Sequence, residues 1–254
     1  MISRVARVEF PHAGRCTSLR PYYATVVLLL LGAAVLLTAF NALGASRAGT
    51  VDVRICDPVA DYYLGLEDYP LAIQKHLLVV QEHPDNALAY YHLGFAYGMV
   101  GDHMSELADY QKAMGLGLSD WDLFLNMGLV YMESGRLDSA SQMLQLATFL
   151  GPYRPETHFN LGLLDERLGI YQKAEQEILL SLRIDPNQDD ARNTLGVIYA
   201  EQGNYERAHQ EWADLVKSDP NYAPARANLA ILDRIERGEI AGATRLGAGF
   251  AQAH

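Results

Sequence analysis

The sequence has little cysteine, and the two it has, Cys16 and Cys56, stand far apart. No CxxC or CxxCH occurs, and no local run of cysteine and histidine has metal-ligand spacing, so a zinc finger, a c-type haem and a redox dithiol all lack their signatures. Also missing are GxSxG, a glycine-rich phosphate loop and HExxH, the short motifs of acyl transfer, nucleotide binding and zinc proteolysis. The eight histidines are scattered. On these absences the chain reads as a non-enzyme without cofactor or metal.

Positive charge is scarce beyond the first fifth of the chain. Residues 1–50 hold five arginines and one acid, Glu9, a balance of +4, and the remaining residues carry 15 basic against 30 acidic side chains, or −15. A surface that acidic repels phosphate backbones, which argues against nucleic-acid partners and favours neutral or basic ones. The ten prolines and 21 glycines are too few for a low-complexity chain, and half the residues are apolar, enough for a sizeable core.

What is present begins with one hydrophobic run. No charge falls between Arg20 and Arg47, and the centre of that interval, from Ala24 to Leu43, is almost wholly apolar. Twenty such residues in a helix reach about 30 Å, the thickness of a bilayer's hydrocarbon core. Tyr22 and Tyr23 sit at one end, where amphipathic rings favour the interface. The arginines before the run, Arg4, Arg7, Arg15 and Arg20, place the N-terminus on the cytoplasmic side and the rest across the membrane. A cleaved signal peptide is the competing reading, since Ala42 to Ala45 resembles a small-residue cleavage site, although the apolar run exceeds the usual signal length of about 7–15 residues. The expected division is therefore a leader at 1–20, a transmembrane helix or signal anchor at 21–46, a linker at 47–56, a helical domain at 57–238 and a tail at 239–254.

The domain announces itself by a period. Gly94, Gly128, Gly162 and Gly196 are spaced by 34 residues, and Ala230 continues the series. Gly101, Gly135, Gly169 and Gly203 fall in step seven residues later, and Ala140, Ala174 and Ala208 twelve residues later, with Glu106 as the exception. Pro84, Pro152, Pro186 and Pro220 close the units, and Leu118 stands where a fifth proline is due. A 34-residue period with this pattern is that of the tetratricopeptide repeat, which the sequence resembles over 53–238. Four units (87–120, 121–154, 155–188, 189–222) match well, a degenerate one precedes them at 53–86, and a capping helix follows near 223–237.

The resemblance implies an all-α, right-handed solenoid of antiparallel helix pairs. The glycines at 94, 128, 162 and 196 permit close helix approach, and the alanines of the second helices serve the same contact. Glu106 is awkward there, and an outward turn or local adjustment is expected. Glycine at 101, 135, 169 and 203 suits a turn with positive φ. Asp57, Ser119 and Asp189 are candidate helix caps.

In the family the sequence resembles, the first helix of each unit lines a groove that holds an extended partner. On that pattern the groove of this chain comprises Tyr91, Phe95, Leu125, Asn126, Leu129, Phe159, Asn160, Leu163, Val197 and Asn228. Apolar residues and asparagines at helical spacing are equally read as packing within the solenoid. Asp122, Glu133, Glu156, Asp190 and Glu201 flank these positions and point to a neutral or basic protein segment. His76 and His83 on one helix are read as surface or packing, and His92 and His158 lie two units apart, too far to share a metal. The expected function is a membrane-anchored scaffold that holds protein partners, with its repeat domain in the periplasm of a bacterial inner membrane and a role in envelope complex assembly. A soluble exported carrier and a permanent structural subunit are the rivals.

Overall fold

The computed structural model describes residues 56–239, so the leader, the hydrophobic segment, the linker as far as residue 55 and the tail from residue 240 lie outside the described residues. Among the described residues there are eleven helices and no strand. They are α1 (Pro58–Gly65), α2 (Tyr69–Glu82), α3 (Ala87–Met99), α4 (His103–Gly115), α5 (Trp121–Glu133), α6 (Leu137–Leu150), α7 (Pro155–Arg167), α8 (Tyr171–Ile184), α9 (Asp189–Glu201), α10 (Tyr205–Ser218) and α11 (Ala223–Glu236). None of these is long and apolar enough to cross a membrane. Odd-numbered helices open the units and even-numbered helices close them. Each pair packs together, and each closing helix also packs on the opening helix of the next unit. A unit thus leaves apolar surface that only its neighbour covers.

The helix ends follow from local chemistry. Asp57 accepts from the amides of Val59 and Ala60, and Asn86, Asp102 and Asn204 cap α3, α4 and α10 in the same manner. Ser119 and Asp189 are not caps: α5 begins after Asp120, and α9 after Gln188, whose amide is taken by Ser181. Proline follows the C-cap residue of α2, α6, α8 and α10, where it cannot continue a helix. The unit with Leu118 ends differently. Gly117 takes φ +100° and Leu118 is buried, so a turn glycine supplies the stop that proline supplies elsewhere.

Within the units, Gly101, Gly135, Gly169 and Gly203 all have φ between 72° and 82°. The corresponding residue of the degenerate first unit is Glu67, at φ 59°, the one non-glycine with positive φ among the described residues. A side chain in that region costs about 1–2 kcal/mol, a local conflict the later repeats avoid.

The close-approach glycines meet a partner that the sequence pattern did not single out. A Cβ at Gly94 would lie 2.8 Å from the ring of Tyr110, one at Gly128 2.7 Å from Leu144, and one at Gly162 2.8 Å from Ile178. At Gly196 it would collide with the indole of Trp212. Tyr110, Leu144, Ile178 and Trp212 themselves recur every 34 residues, sixteen after each glycine, and all are buried. The glycine is thus a socket for a large side chain of the closing helix. Ala140, Ala174 and Ala208 are fully buried one turn earlier.

Glu106 does not turn outward. It is 1 % exposed, and its carboxylate takes the Nδ1 of His103 at 2.9 Å, so an ionisable partner one helical turn away compensates its burial.

The core falls into two clusters. The first runs from Leu64 through α3–α6 to Leu161 and Leu164, and the second from Phe159 through α8–α10 to Leu232. Leu163, half-buried on α7, packs against both.

Three substitutions test this account. Gly128→Ala should overpack against Leu144 by about 1–3 kcal/mol, more than the helix propensity it gains, and lower the urea midpoint. Gly115→Ala, where an added Cβ meets nothing within 4 Å, should not. Glu67→Gly should raise the midpoint by about 0.5–1 kcal/mol by relieving the left-handed turn.

Candidate functional site

The opening helices carry the residues expected to line a groove. Tyr91, Phe95, Leu125, Asn126, Leu129, Phe159, Asn160, Val197 and Asn228 are all buried, none more than 7 % exposed, and Leu163 is half-buried. They lie on the opening helices, with their contacts largely made inside the solenoid. Tyr91 stacks at 5.7 Å on Tyr110, and Phe95 meets Tyr69 edge-on at 6.5 Å.

The asparagines are engaged within the protein. Asn126 Nδ2 donates to the Tyr91 hydroxyl at 3.1 Å, and Asn160 Nδ2 to the Glu156 carbonyl at 2.8 Å. Asn228 Nδ2 donates to Asn193 Oδ1 at 3.0 Å, while the Asn193 carbonyl accepts from Trp212 Nε1 at 3.2 Å. Asn126 and Asn228 therefore link one unit to the next, while Asn160 bonds back onto its own helix. Of the flanking acids, Asp190 accepts from the Tyr222 hydroxyl at 2.7 Å, Glu201 from Tyr171 at 3.4 Å, and Glu133 lies 3.6 Å from His103. Burial pushes the Asp122 carboxyl above the usual range. The large apolar side chains left in solvent are mostly elsewhere. Phe149 on α6 is 80 % exposed and Tyr153 in the following loop 84 %.

A second grouping arises where α1, α2 and α3 meet. Cys56, just before α1, Asp61 on α1, His76 on α2 and His92 on α3 bring one donor atom each to within 4.8 Å of one another. The sequence reading found no cysteine–histidine cluster and set His76 and His92 aside. The structure corrects it, because folding gathers residues up to 36 positions apart. His76 is fully buried while His83 is exposed, so the two do not share a face. Asp61 Oδ1 lies 2.7 Å from His92 Nδ1, 3.2 Å from His76 Nε2 and 3.3 Å from Cys56 Sγ. Burial pushes the Asp61 carboxyl up, but the hydrogen bonds from His76 and His92 together outweigh it and hold the group well below the usual range. Burial pushes the Cys56 thiol well up, with Asp61 adding to the effect, and burial lowers His92.

The repeat register was the signal that could have found this set. Asp61 stands 34 residues before Phe95, His76 34 before Tyr110, and His92 34 before Asn126. Three columns that are apolar or carry asparagine or threonine in later units hold ligand-type residues at the start of the solenoid.

Models of the tetratricopeptide repeat match residues 125–189 and 178–210. The stretch 125–210 carries tetratricopeptide repeats. Three solved structures share the fold at low identity. YrrB, described as a tetratricopeptide protein with an unusual peptide-binding site, is 23 % identical over 66 % of this chain and 86 % of its own, with a TM-score of 0.59. PilF of Pseudomonas aeruginosa is 21 % identical over 71 % of this chain and 82 % of its own, with a TM-score of 0.62. MamA of Desulfovibrio magneticus is 13 % identical over 67 % of this chain and 97 % of its own, with a TM-score of 0.61. No curated protein matches the chain in sequence.

The buried amide chain makes a measurable claim about the tetratricopeptide solenoid. Asn228→Ala removes the donor to Asn193 and should cost about 1–3 kcal/mol in urea unfolding. An unchanged midpoint would mean that the Asn228–Asn193 bond adds nothing to the stability of the stack.

Proposed function

We propose that this protein is a membrane-tethered scaffold that holds a neutral or basic protein segment along the face of its opening helices. The observation that carries the reading is the tetratricopeptide solenoid itself, a stack whose extended surface suits protein partners. The net −15 beyond residue 50 and the acidic flank of Asp122, Glu133, Glu156, Asp190 and Glu201 favour a basic partner. A structural neighbour described by its peptide-binding site supports peptide recognition as a use of this fold. The proposed contact surface is the face of the opening helices, where Leu163 is the most accessible of the groove set.

The tether in this proposal is the apolar segment from Ala24 to Leu43, which raises the local concentration of the solenoid at a bacterial inner membrane and sets it in the periplasm. Assembly of envelope complexes is the role proposed for it there. A second reading, binding through the outer face, is favoured by Phe149 and Tyr153, whose rings stand in solvent on and beside a closing helix.

Both points are open to experiment. A photo-crosslinking residue placed at Leu163 or Glu201, in full-length protein shown by circular dichroism to fold, should give a partner adduct that one at Phe149 or Tyr153 does not. Adducts only from the latter pair would move the contact to the outer face, and adducts from none of the four would sink the scaffold. Alkaline carbonate should leave the chain in the membrane pellet with its N-terminus intact. Release of a shortened chain would favour an exported soluble carrier.

A further inference from the structure

The four-residue cluster of the first unit has the composition, the convergence and the surrounding bonds of a metal centre. We propose that Cys56, Asp61, His76 and His92 form a four-ligand site for a zinc-type divalent transition metal that pins the degenerate first unit to the rest of the solenoid.

The donor set is one thiolate sulfur, two imidazole nitrogens and one carboxylate oxygen, the ligands that tetrahedral zinc takes from proteins. With metal–ligand bonds near 2.0–2.3 Å, the edges of such a tetrahedron are about 3.3–3.6 Å. Here Sγ of Cys56 lies 3.3 Å from Asp61 Oδ1 and 3.4 Å from His92 Nδ1, and His76 Nε2 lies 3.2 Å from Asp61 Oδ1. The 2.7 Å between His92 and Asp61 has to open by several tenths of an ångström, a small rotation for a carboxylate.

The hydrogen-bond inventory around Asp61 also calls for a cation. Its Oδ2 accepts from the amide of Cys56 at 3.0 Å, and three further groups converge on Oδ1 alone. One carboxylate oxygen has two lone pairs, one fewer than those three approaches require. His76 is held for that role. Its Nδ1 lies 2.9 Å from the Ala72 carbonyl, which can only accept, so Nδ1 donates there and Nε2 is the nitrogen turned toward the cluster. The Nδ1–H to carbonyl bond is the outer-shell contact that fixes the tautomer of a metal-bound histidine.

The location gives the ion a structural task. The other units seat Tyr110, Leu144, Ile178 or Trp212 against a glycine, whereas the first unit has Ala60 and His76 in those columns and an opening helix of only eight residues. Metal bonds from the segment before α1, from α1, from α2 and from α3 of the next unit would replace the missing apolar contact. Two anionic ligands neutralise a divalent ion, so the half-buried site carries no net charge.

The test uses the full-length protein in detergent, purified without a polyhistidine tag, stripped with a chelator and titrated with Co²⁺ or Zn²⁺. One cobalt per chain is expected, with a sulfur-to-cobalt charge-transfer band in the near ultraviolet, the intense visible bands of a four-coordinate ion, and displacement by zinc. Cys56→Ser should abolish the charge-transfer band, and Cys56→Ser and His92→Gln should each weaken binding at least ~100-fold. His83→Ala and His209→Ala should leave binding unchanged. Zinc should raise the melting temperature of the wild type by several degrees and that of Cys56→Ser by none. Wild-type protein that binds no stoichiometric cobalt, or a folded Cys56→Ser variant with an unaltered cobalt spectrum, would overturn the site.

Discussion

Everything in this solenoid depends on one repeated contact, a glycine of the opening helix against a large side chain of the closing helix. Because Gly94, Gly128, Gly162 and Gly196 have no Cβ, Tyr110, Leu144, Ile178 and Trp212 reach the opening helix's backbone. That contact sets the distance within each pair, and with it the position of every residue that reaches the next unit. The large residue differs each time, from an aliphatic branch to an indole, so the socket specifies volume on one side only. The difference is absorbed locally: Trp212 adds a hydrogen bond to Asn193, and the Tyr110 ring stacks on Tyr91.

The period and the glycine columns were legible in the sequence because each is a backbone requirement, and a backbone requirement admits few residue types. The five units and the proline stops follow from them. The partners of those glycines were harder to read, since tyrosine, leucine, isoleucine and tryptophan share size but no chemistry. Glu106 was read as awkward in its column, to be met by an outward turn or a local adjustment, and the structure takes the second course through His103.

The candidate surface divides in the same way. Position along the opening helix was readable, but accessibility was not, because it depends on how closely the next unit stacks. Asn126, Asn160 and Asn228 look identical whether they await a peptide or join units, and here their amides bond within the protein. The cluster around Asp61 was hidden by the search for local spacing. Its members are dispersed over three helices and a preceding segment, and they become neighbours only when the degenerate unit is placed in register with the regular ones.

The division of the core at α7 is one of side chains, and the helices pack without a break across it. Leu163 touches both apolar clusters, Gly162 receives Ile178 of α8 at close range, and α7 packs on α6, α8 and α9. Load applied between the two ends of the stack therefore has to pass through every helix pair in turn, as along a chain whose links share one design.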